Sequence, residues 1–296
     1  MTTLRDNTSK SGTASFAEDW RSTPFFPLFV PANRPERFEK AVRAGCGAII
    51  ADLEDAVADD EKQTAREMLV RALQSTLFPI PVIVRINGIE SDHFEQDIQA
   101  LADLPVATVM LPKAEDGPHL ETLRQQLKSD TGLIGLVETP KGIAEARVLA
   151  LQCDRLAFGS IDFASSIRAE HTRDALHAAR SELVLASALA GSPQPLDGVT
   201  VEVDAADTIE DDARYSASLG FGGKLLIHPA QVVPGRSGFA PAREAVEKAR
   251  QMLASTGGNA GRFEGRMVDK PVILQAQRMI QIFERIEAQN AELAGD

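Results

Sequence analysis

Several scarcities bound this chain before any motif is read. It carries two cysteines in 296 residues, Cys46 and Cys153, far apart and in no metal-ligand spacing. That argues against a disulfide framework and fits two small buried residues in a reducing compartment. Positive charge is short: 31 Lys and Arg face 43 Asp and Glu, a formal net charge of −12. Broad contact with a nucleic-acid backbone is therefore not expected, although a local basic pocket for an anionic ligand remains compatible. No apolar run approaches the length of a membrane span, and the first residues hold no apolar signal core. The expectation is a soluble cytoplasmic protein with no membrane or nucleic-acid partner. There is no Gly-rich dinucleotide loop after the first strand candidate and no internal repeat beyond a βα unit.

With 44% hydrophobic residues the chain can bury a sizeable core. Residues 1–21 are polar and aperiodic and read as a mobile tail. Short apolar runs then alternate with amphipathic stretches. The strand candidates are Phe25–Pro31, Ala48–Leu53, Val82–Ile86, Thr108–Leu111, Leu133–Val137, Arg155–Gly159, Gly198–Val203 and Lys224–Ile227. Helical patterns such as Pro35–Ala44, Thr64–Leu73 and Leu176–Leu189 lie between them. Eight strands alternating with helices predict an α/β fold, a TIM (β/α)8 barrel over residues 22–242, in preference to a doubly wound sheet. Residues 243–296 lie outside the eight units. A helix (Arg243–Ala254), a Gly-rich linker (Ser255–Gly261) and a last helix (Val272–Leu293) make them a C-terminal helical lid or an arm toward a neighbouring subunit.

Polar residues collect where a barrel enzyme needs them, at the C-terminal ends of strands: Asn33 and Arg34, Glu54 and Asp55, Arg85 and Asn87, Lys113, Glu138, Asp162, Glu202 and Asp204, and His228. Glu138 and Asp162 close neighbouring strands beside small or turn-forming residues and could share one hard cation such as Mg²⁺; each could instead cap the following helix. Arg85 suits a carboxylate or an oxyanion, or serves as partner to Glu54 and Asp55 on the adjacent strand; an acid that orients a catalytic Arg satisfies both. Arg34 and Lys40 flank the start of the first helix, which is either an anion site or a solvated charged face. His228 reads equally as a ligand, an acid/base or a core histidine. Spacing alone gives Asp269 no special status.

Eight ordered blocks, FVPANRPERFEKA, ADLEDAVADDEK, VRING, MLPKAED, LVETPKGI, FGSIDFASS, GFGGKLLIHPAQV and FEGRMVDKP, run from Phe29 to Pro271. Together they resemble the citrate lyase β-subunit-like branch of the HpcH/HpaI aldolase superfamily, near malyl-CoA and citramalyl-CoA lyases. The resemblance implies a homotrimeric TIM barrel with a C-terminal extension. It implies Mg²⁺ (or Mn²⁺) on Glu138 and Asp162, Arg85 at the reacting carbonyl, and a CoA ester held by Phe29, Arg34 and Lys40, with Ile161, Ile227 and His228 near the ligand. It also raises Asp269 to a carboxylate donated to a neighbouring active site, where it moves the proton at the acyl α-carbon. Ile161 stands where many members carry Glu, a departure shared with malyl-CoA lyase relatives, and Ala51 stands where an aliphatic residue is usual. The activity expected is retro-Claisen cleavage of a malyl-, citramalyl- or citryl-CoA type ester. The rivals are a class II pyruvate aldolase, disfavoured because ADLEDAV contains no His; a malate-synthase-like or thioesterase activity; and a non-catalytic subunit.

Overall fold

The computed structural model describes residues 24–294 except Asp103 and Pro105; the expected tail at 1–21 lies outside the described residues. The chain runs β1 (Pro27–Pro31), α1 (Phe38–Arg43), β2 (Ala48–Asp52), α2 (Lys62–Ser75), β3 (Val82–Arg85), α3 (Phe94–Leu101), β4 (Thr108–Leu111), α4 (Gly117–Gln126) and β5 (Gly132–Val137). It continues through α5 (Pro140–Ala144), α6 (Ala146–Gln152), β6 (Arg155–Phe158), α7 (Ser160–Ser166), α8 (Arg173–Ala190), α9 (Ala206–Leu219) and α10 (Val232–Phe239). The last elements are α11 (Arg243–Thr256), a hairpin of β7 (Gly261–Phe263) and β8 (Arg266–Val268), and α12 (Lys270–Ala294).

β1 to β6 pair in sequence order as one parallel sheet. Its strands are buried on both faces, as parallel strands covered by crossover helices must be. One face, with Ile49, Val84, Val109 and Leu156, packs under the helices. The other points inward and forms a smaller cluster of Phe25, Ala48, Ile50, Ile83, Met110 and Leu136 with others. Residues two apart share a face. The inward row therefore carries on from Ile50 to Asp52, from Ile83 to Arg85 and from Leu136 to Glu138, which is how an apolar interior delivers charge to its rim.

The expected seventh and eighth strands are not strands. Isolated parallel bridges stand there instead, Ala157 with Leu196, Asp197 with Lys224, Phe25 with Gly223 and Leu28 with Leu226. Backbone hydrogen bonds nevertheless run from β6 to Leu196, from Asp197 to Gly223, and from Leu226 back to β1. Pairing thus starts before Gly198–Val203, and the apolar alternation of that stretch misleads because Val201 and Glu202 turn out to solvent. Side chains replace the missing ladder. Fully buried Lys224 donates to the carbonyl of Gly198 at 2.6 Å, and Arg155 donates to the carbonyls of Gln194 and Gly222 at 2.8 and 2.9 Å. Burial, with the charge of Arg285, lowers the Arg155 pKa to about 9.

The C-terminal region is anchored rather than free. Ile286 of α12 belongs to the main core, and Arg236 of α10 donates to Asn290 at 3.1 Å. The hairpin and the start of α12 form their own cluster with α11, through Met252, Val268 and Ile273. What reads as a Gly-rich linker is a turn at Gly257 and Gly258, both with positive φ, leading into that hairpin. Among the described residues no helix is long and apolar enough to cross a membrane.

Candidate active site

Arg85 ends β3 and is held by charges on three sides of its guanidinium. Its register partner on β2 is Asp52. Asp52 takes two hydrogen bonds from it, Nε to Oδ1 at 2.7 Å and Nη2 to Oδ2 at 2.6 Å, the fork-to-fork geometry that fixes a guanidinium plane. Nη1 lies 3.0 Å from Glu54 Oε2 and 3.4 Å from Asp55 Oδ2. The guanidinium sits 4.7 Å from the centre of the Phe29 ring. Burial alone would lower the Arg85 pKa, but Asp52, Glu54 and Asp55 more than offset it and hold it above the usual Arg range. Asp52 also receives the backbone N–H groups of Glu54 and Ala56, which folds the DLEDA turn around it.

Glu54 is buried behind this clamp. Burial pushes its pKa up, against the pull of Arg85. One oxygen is 3.4 Å from Lys113 Nζ, while Oε2 has Arg85 as a charge neighbour but no hydrogen-bond donor. The turn beneath is held by buried Lys62, which donates to the carbonyls of Leu53 and Glu54 at 2.7 Å and to Asn87 Oδ1 at 2.8 Å.

Glu138 follows β5 and is 2% exposed. Its Oε1 accepts the backbone N–H of Lys113 at 2.8 Å, an approach that needs Lys113 in the left-handed region at φ 49°. Burial, then the charge of Glu54, raises the Glu138 pKa to about 8. A Cβ at Gly159 would collide with the Glu138 side chain, Oε2 included, so only glycine leaves room there. Asp162 stands in the first turn of α7 and is exposed. Among the described residues no three His, Cys, Asp or Glu side chains converge as a ready-made metal cage. Glu138 and Asp162 could offer a cation two carboxylates, and burial disfavours the bare anion of Glu138. That fits Mg²⁺, which takes few protein carboxylates and keeps room for water and substrate oxygens.

A cavity of about 450 Å³ gathers Phe29, Asp55, Arg85, Glu138, Ile161, Asp162 and Ile227, along with Asp52. Of the other expected residues, Glu54 opens instead onto the neighbouring cavity on the Lys113 side, of about 410 Å³. Arg34 and Lys40 are exposed at the start of the first helical segment, with Arg34 3.9 Å from Glu36. His228 is a local cap: its Nδ1 accepts the N–H of Ala230 at 3.2 Å, and Gln231 answers by accepting from Ile227 and His228. Asp269 is half-buried at the start of α12, where it accepts the N–H of Val272 at 3.3 Å, outside the residues lining either cavity. Sequence reasoning missed Asp52 as the Arg85 clamp and the Lys113 N–H as the Glu138 donor. Parity would have found the first, since Asp52 is two residues beyond buried Ile50.

The sequence model described as HpcH/HpaI aldolase/citrate lyase matches residues 26–229. This chain belongs to that family. A family relative, a citrate lyase subunit beta-like protein of Mycobacterium tuberculosis, is 36% identical over 266 residues, covering 86% of this chain and 93% of its own. The mitochondrial citramalyl-CoA lyase of Homo sapiens is 28% identical over 287 residues, covering 86% and 84%. Among solved family structures, CitE of Mycobacterium tuberculosis in complex with magnesium, acetoacetate and coenzyme A superposes with a TM-score of 0.79 at 32% identity, covering 89% of this chain and 99% of that one.

Proposed function

We propose that this protein is a magnesium-dependent CoA-ester lyase, cleaving or forming a 3-hydroxyacyl-CoA of the malyl, citramalyl or citryl kind to give a 2-oxo acid and a short acyl-CoA. The observation that carries this reading is the single cavity that holds a rigidly clamped Arg85 together with Glu138 and Asp162. Its relatives support it: solved structures show the citrate lyase beta subunit of Mycobacterium tuberculosis complexed with oxaloacetate and magnesium, and CitE of Mycobacterium tuberculosis with magnesium and pyruvate.

Glu138 and Asp162 would hold the Mg²⁺ (Mn²⁺ has the same oxygen preference), which as a Lewis acid contributes several kcal/mol by polarising substrate oxygens. Asp55 lines the cavity beside Arg85 and is the carboxylate we assign to the 3-hydroxyl proton in cleavage. Loss of that proton lets the C2–C3 bond break toward the thioester. Arg85 faces the oxyanion that develops, already oriented by Asp52 and Glu54, so no reorganisation is needed as charge appears. Phe29, Ile161 and Ile227 supply the apolar wall, Arg34 and Lys40 the exposed cations for CoA phosphates, and His228 holds the turn next to Ile227. Asp269 would return a proton to the α-carbon of the enolate. The family resemblance implies that it acts in a neighbour's site within a homotrimer, and its place outside the cavity lining of its own chain is compatible with that. General acid help of this kind contributes roughly 10²–10⁴-fold.

In this reading the two bridged segments act as the seventh and eighth staves of a (β/α)8 barrel over residues 22–242, with 243–296 as the lid-bearing extension. The compartment we assign is the cytoplasm, in line with two buried free thiols whose pKa burial pushes to about 12. The pyruvate aldolase is ranked below this reading because the ADLEDAV stretch carries no histidine. The test is incubation with Mg²⁺ and a panel of 3-hydroxyacyl-CoA esters, with products read by mass spectrometry and Glu138→Ala as control. Acyl-CoA plus a 2-oxo acid, absent in the variant, is the expected result. Free CoA alone would replace the lyase with a hydrolase, and no turnover would redirect the assay to pyruvate and aldehydes.

A further inference from the structure

Asn87 stands two residues past Arg85, among the polar residues of the strand ends, yet outside the lining of the cavity that holds Arg85. It is buried and lines the neighbouring cavity instead. Its carboxamide joins two helices to the DLEDA turn. Nδ2 donates to Asp97 Oδ2 of α3 at 2.7 Å and to the Leu53 carbonyl at 3.1 Å. Oδ1 accepts from Lys62 Nζ of α2 at 2.8 Å. A flipped amide would set its NH2 against the ammonium and its oxygen against the carboxylate, so these partners permit one orientation only.

Buried charges stand at both ends of this amide. Asp97 Oδ2 also accepts the backbone N–H of Asn87 at 2.8 Å, and its Oδ1 accepts from Arg66 Nη1 of α2 at 3.0 Å. Lys62 spends its three N–H donors on Asn87 and on the carbonyls of Leu53 and Glu54, both at 2.7 Å. Burial holds the Lys62 pKa below the usual Lys range, against the charges of Asp52, Glu54 and Asp97. Arg66, Asp97 and Lys62 alternate in sign, and the alternation continues through Glu54 to Arg85 and Asp52. Removing one member of such a buried chain leaves its neighbours without their partner. The Leu53 peptide ties the chain to both strands. Its carbonyl accepts from Asn87 and Lys62, and its N–H donates to the carbonyl of Arg85 at 2.9 Å.

We propose that Asn87 and Asp97 are positioning residues for Arg85: together with Lys62 they fix the Leu53 peptide and the Glu54 backbone, and through these the place of the guanidinium. The kinetic consequence rests on the lyase reading, and the geometric one does not. Neither residue lines the Arg85 cavity, so their loss falls on the reaction of bound ester rather than on its binding.

The test reads Arg85 itself. In protein labelled for heteronuclear NMR, the Arg85 Nε–H signal is assigned by its loss in Arg85→Lys. Asp97→Asn and Asn87→Ala are expected to shift or broaden that signal. Both should lower kcat at least about tenfold while KM for the CoA ester changes less than about twofold. In Asn87→Ala, water from the adjoining cavity can fill the gap, which keeps the test decisive if Asp97→Asn fails to fold. Glu95→Gln removes an exposed acid from α3 and should leave both readouts unchanged. In Lys62→Ala, added ethylammonium should raise kcat at least about threefold, and tetramethylammonium, which has no N–H to donate, should not. If the wild type cleaves no ester, the lyase reading falls and the Arg85 signal still decides this inference. An unmoved Arg85 signal, wild-type kcat in both variants, or equal effects from Glu95→Gln would overturn the proposal.

Discussion

Asp52→Asn probes the clamp on Arg85 with the smallest change available. The substitution keeps one acceptor oxygen but turns the other position into a donor facing Arg85 Nη2 or Nε, which now bond at 2.6 and 2.7 Å. Breaking a buried pair outright costs about 3–5 kcal/mol, and one hydrogen bond to a charged group is worth about 1.5–3 kcal/mol. Glu54 and Asp55 remain beside Nη1, so the charge keeps company and the lower figure applies. We expect a stability loss of about 2 kcal/mol, read as a Tm several degrees lower. The guanidinium plane is also freed to turn. An oxyanion donor that is out of place costs kcat, and we expect a fall of about 10–100-fold with a small change in KM for the CoA ester. Arg85→Lys cannot make the forked bond, so its effect and that of Asp52→Asn should be far from additive in a double-mutant cycle. Wild-type turnover in Asp52→Asn, or strict additivity in the cycle, would refute the clamp.

Three further outcomes follow from the same geometry. Glu138 has a folded pKa of about 8 against an ordinary 4.5, so without metal the folded state holds the proton more tightly than the unfolded chain. Its contribution is full below pH 4.5 and is lost as pH rises toward 8, by at most about 5 kcal/mol, and Mg²⁺ should flatten that slope while binding more tightly with rising pH; urea unfolding and calorimetry in two buffers measure both. Gly159→Ala forces a Cβ into Glu138 and should weaken Mg²⁺ binding about tenfold or more with the fold retained, as circular dichroism and metal titration would show. Asp269→Ala should lose turnover about 100-fold or more while CoA-ester binding survives. Refolding it together with Glu138→Ala should restore activity through mixed oligomers, whereas no recovery would confine Asp269 to its own chain.

Much of the site was legible because parallel strands end where their apolar runs end. Glu138 after Leu136 and Arg85 after Ile83 stand at rim positions that pattern alone predicts. The ordered motifs then named the family. The closing staves were not legible. Gly198–Val203 has a strand-like alternation, yet pairing is made by Leu196 and Asp197 ahead of it, and a buried Lys224 and Arg155 supply hydrogen bonds a ladder would otherwise make. Nothing in local propensity signals a lysine spent on a backbone carbonyl. The hairpin at Gly261–Val268 was hidden because its strands are three residues each and mostly exposed, with Val268 alone buried. His228 shows the opposite case. A polar residue at a strand end suggests chemistry, but its hydrogen bonds are those of a local turn.

The central claim is carbon–carbon cleavage through an enolate that takes up a proton at its α-carbon. It is tested most directly by running the reaction in D₂O with Mg²⁺ and the best ester of the panel. The expected products are a 2-oxo acid and, in equal amount, a short acyl-CoA carrying one deuterium on its α-carbon, both absent with Glu138→Ala. Free CoA with the intact hydroxy acid would contradict the claim, because that outcome breaks the thioester and leaves the carbon–carbon bond in place.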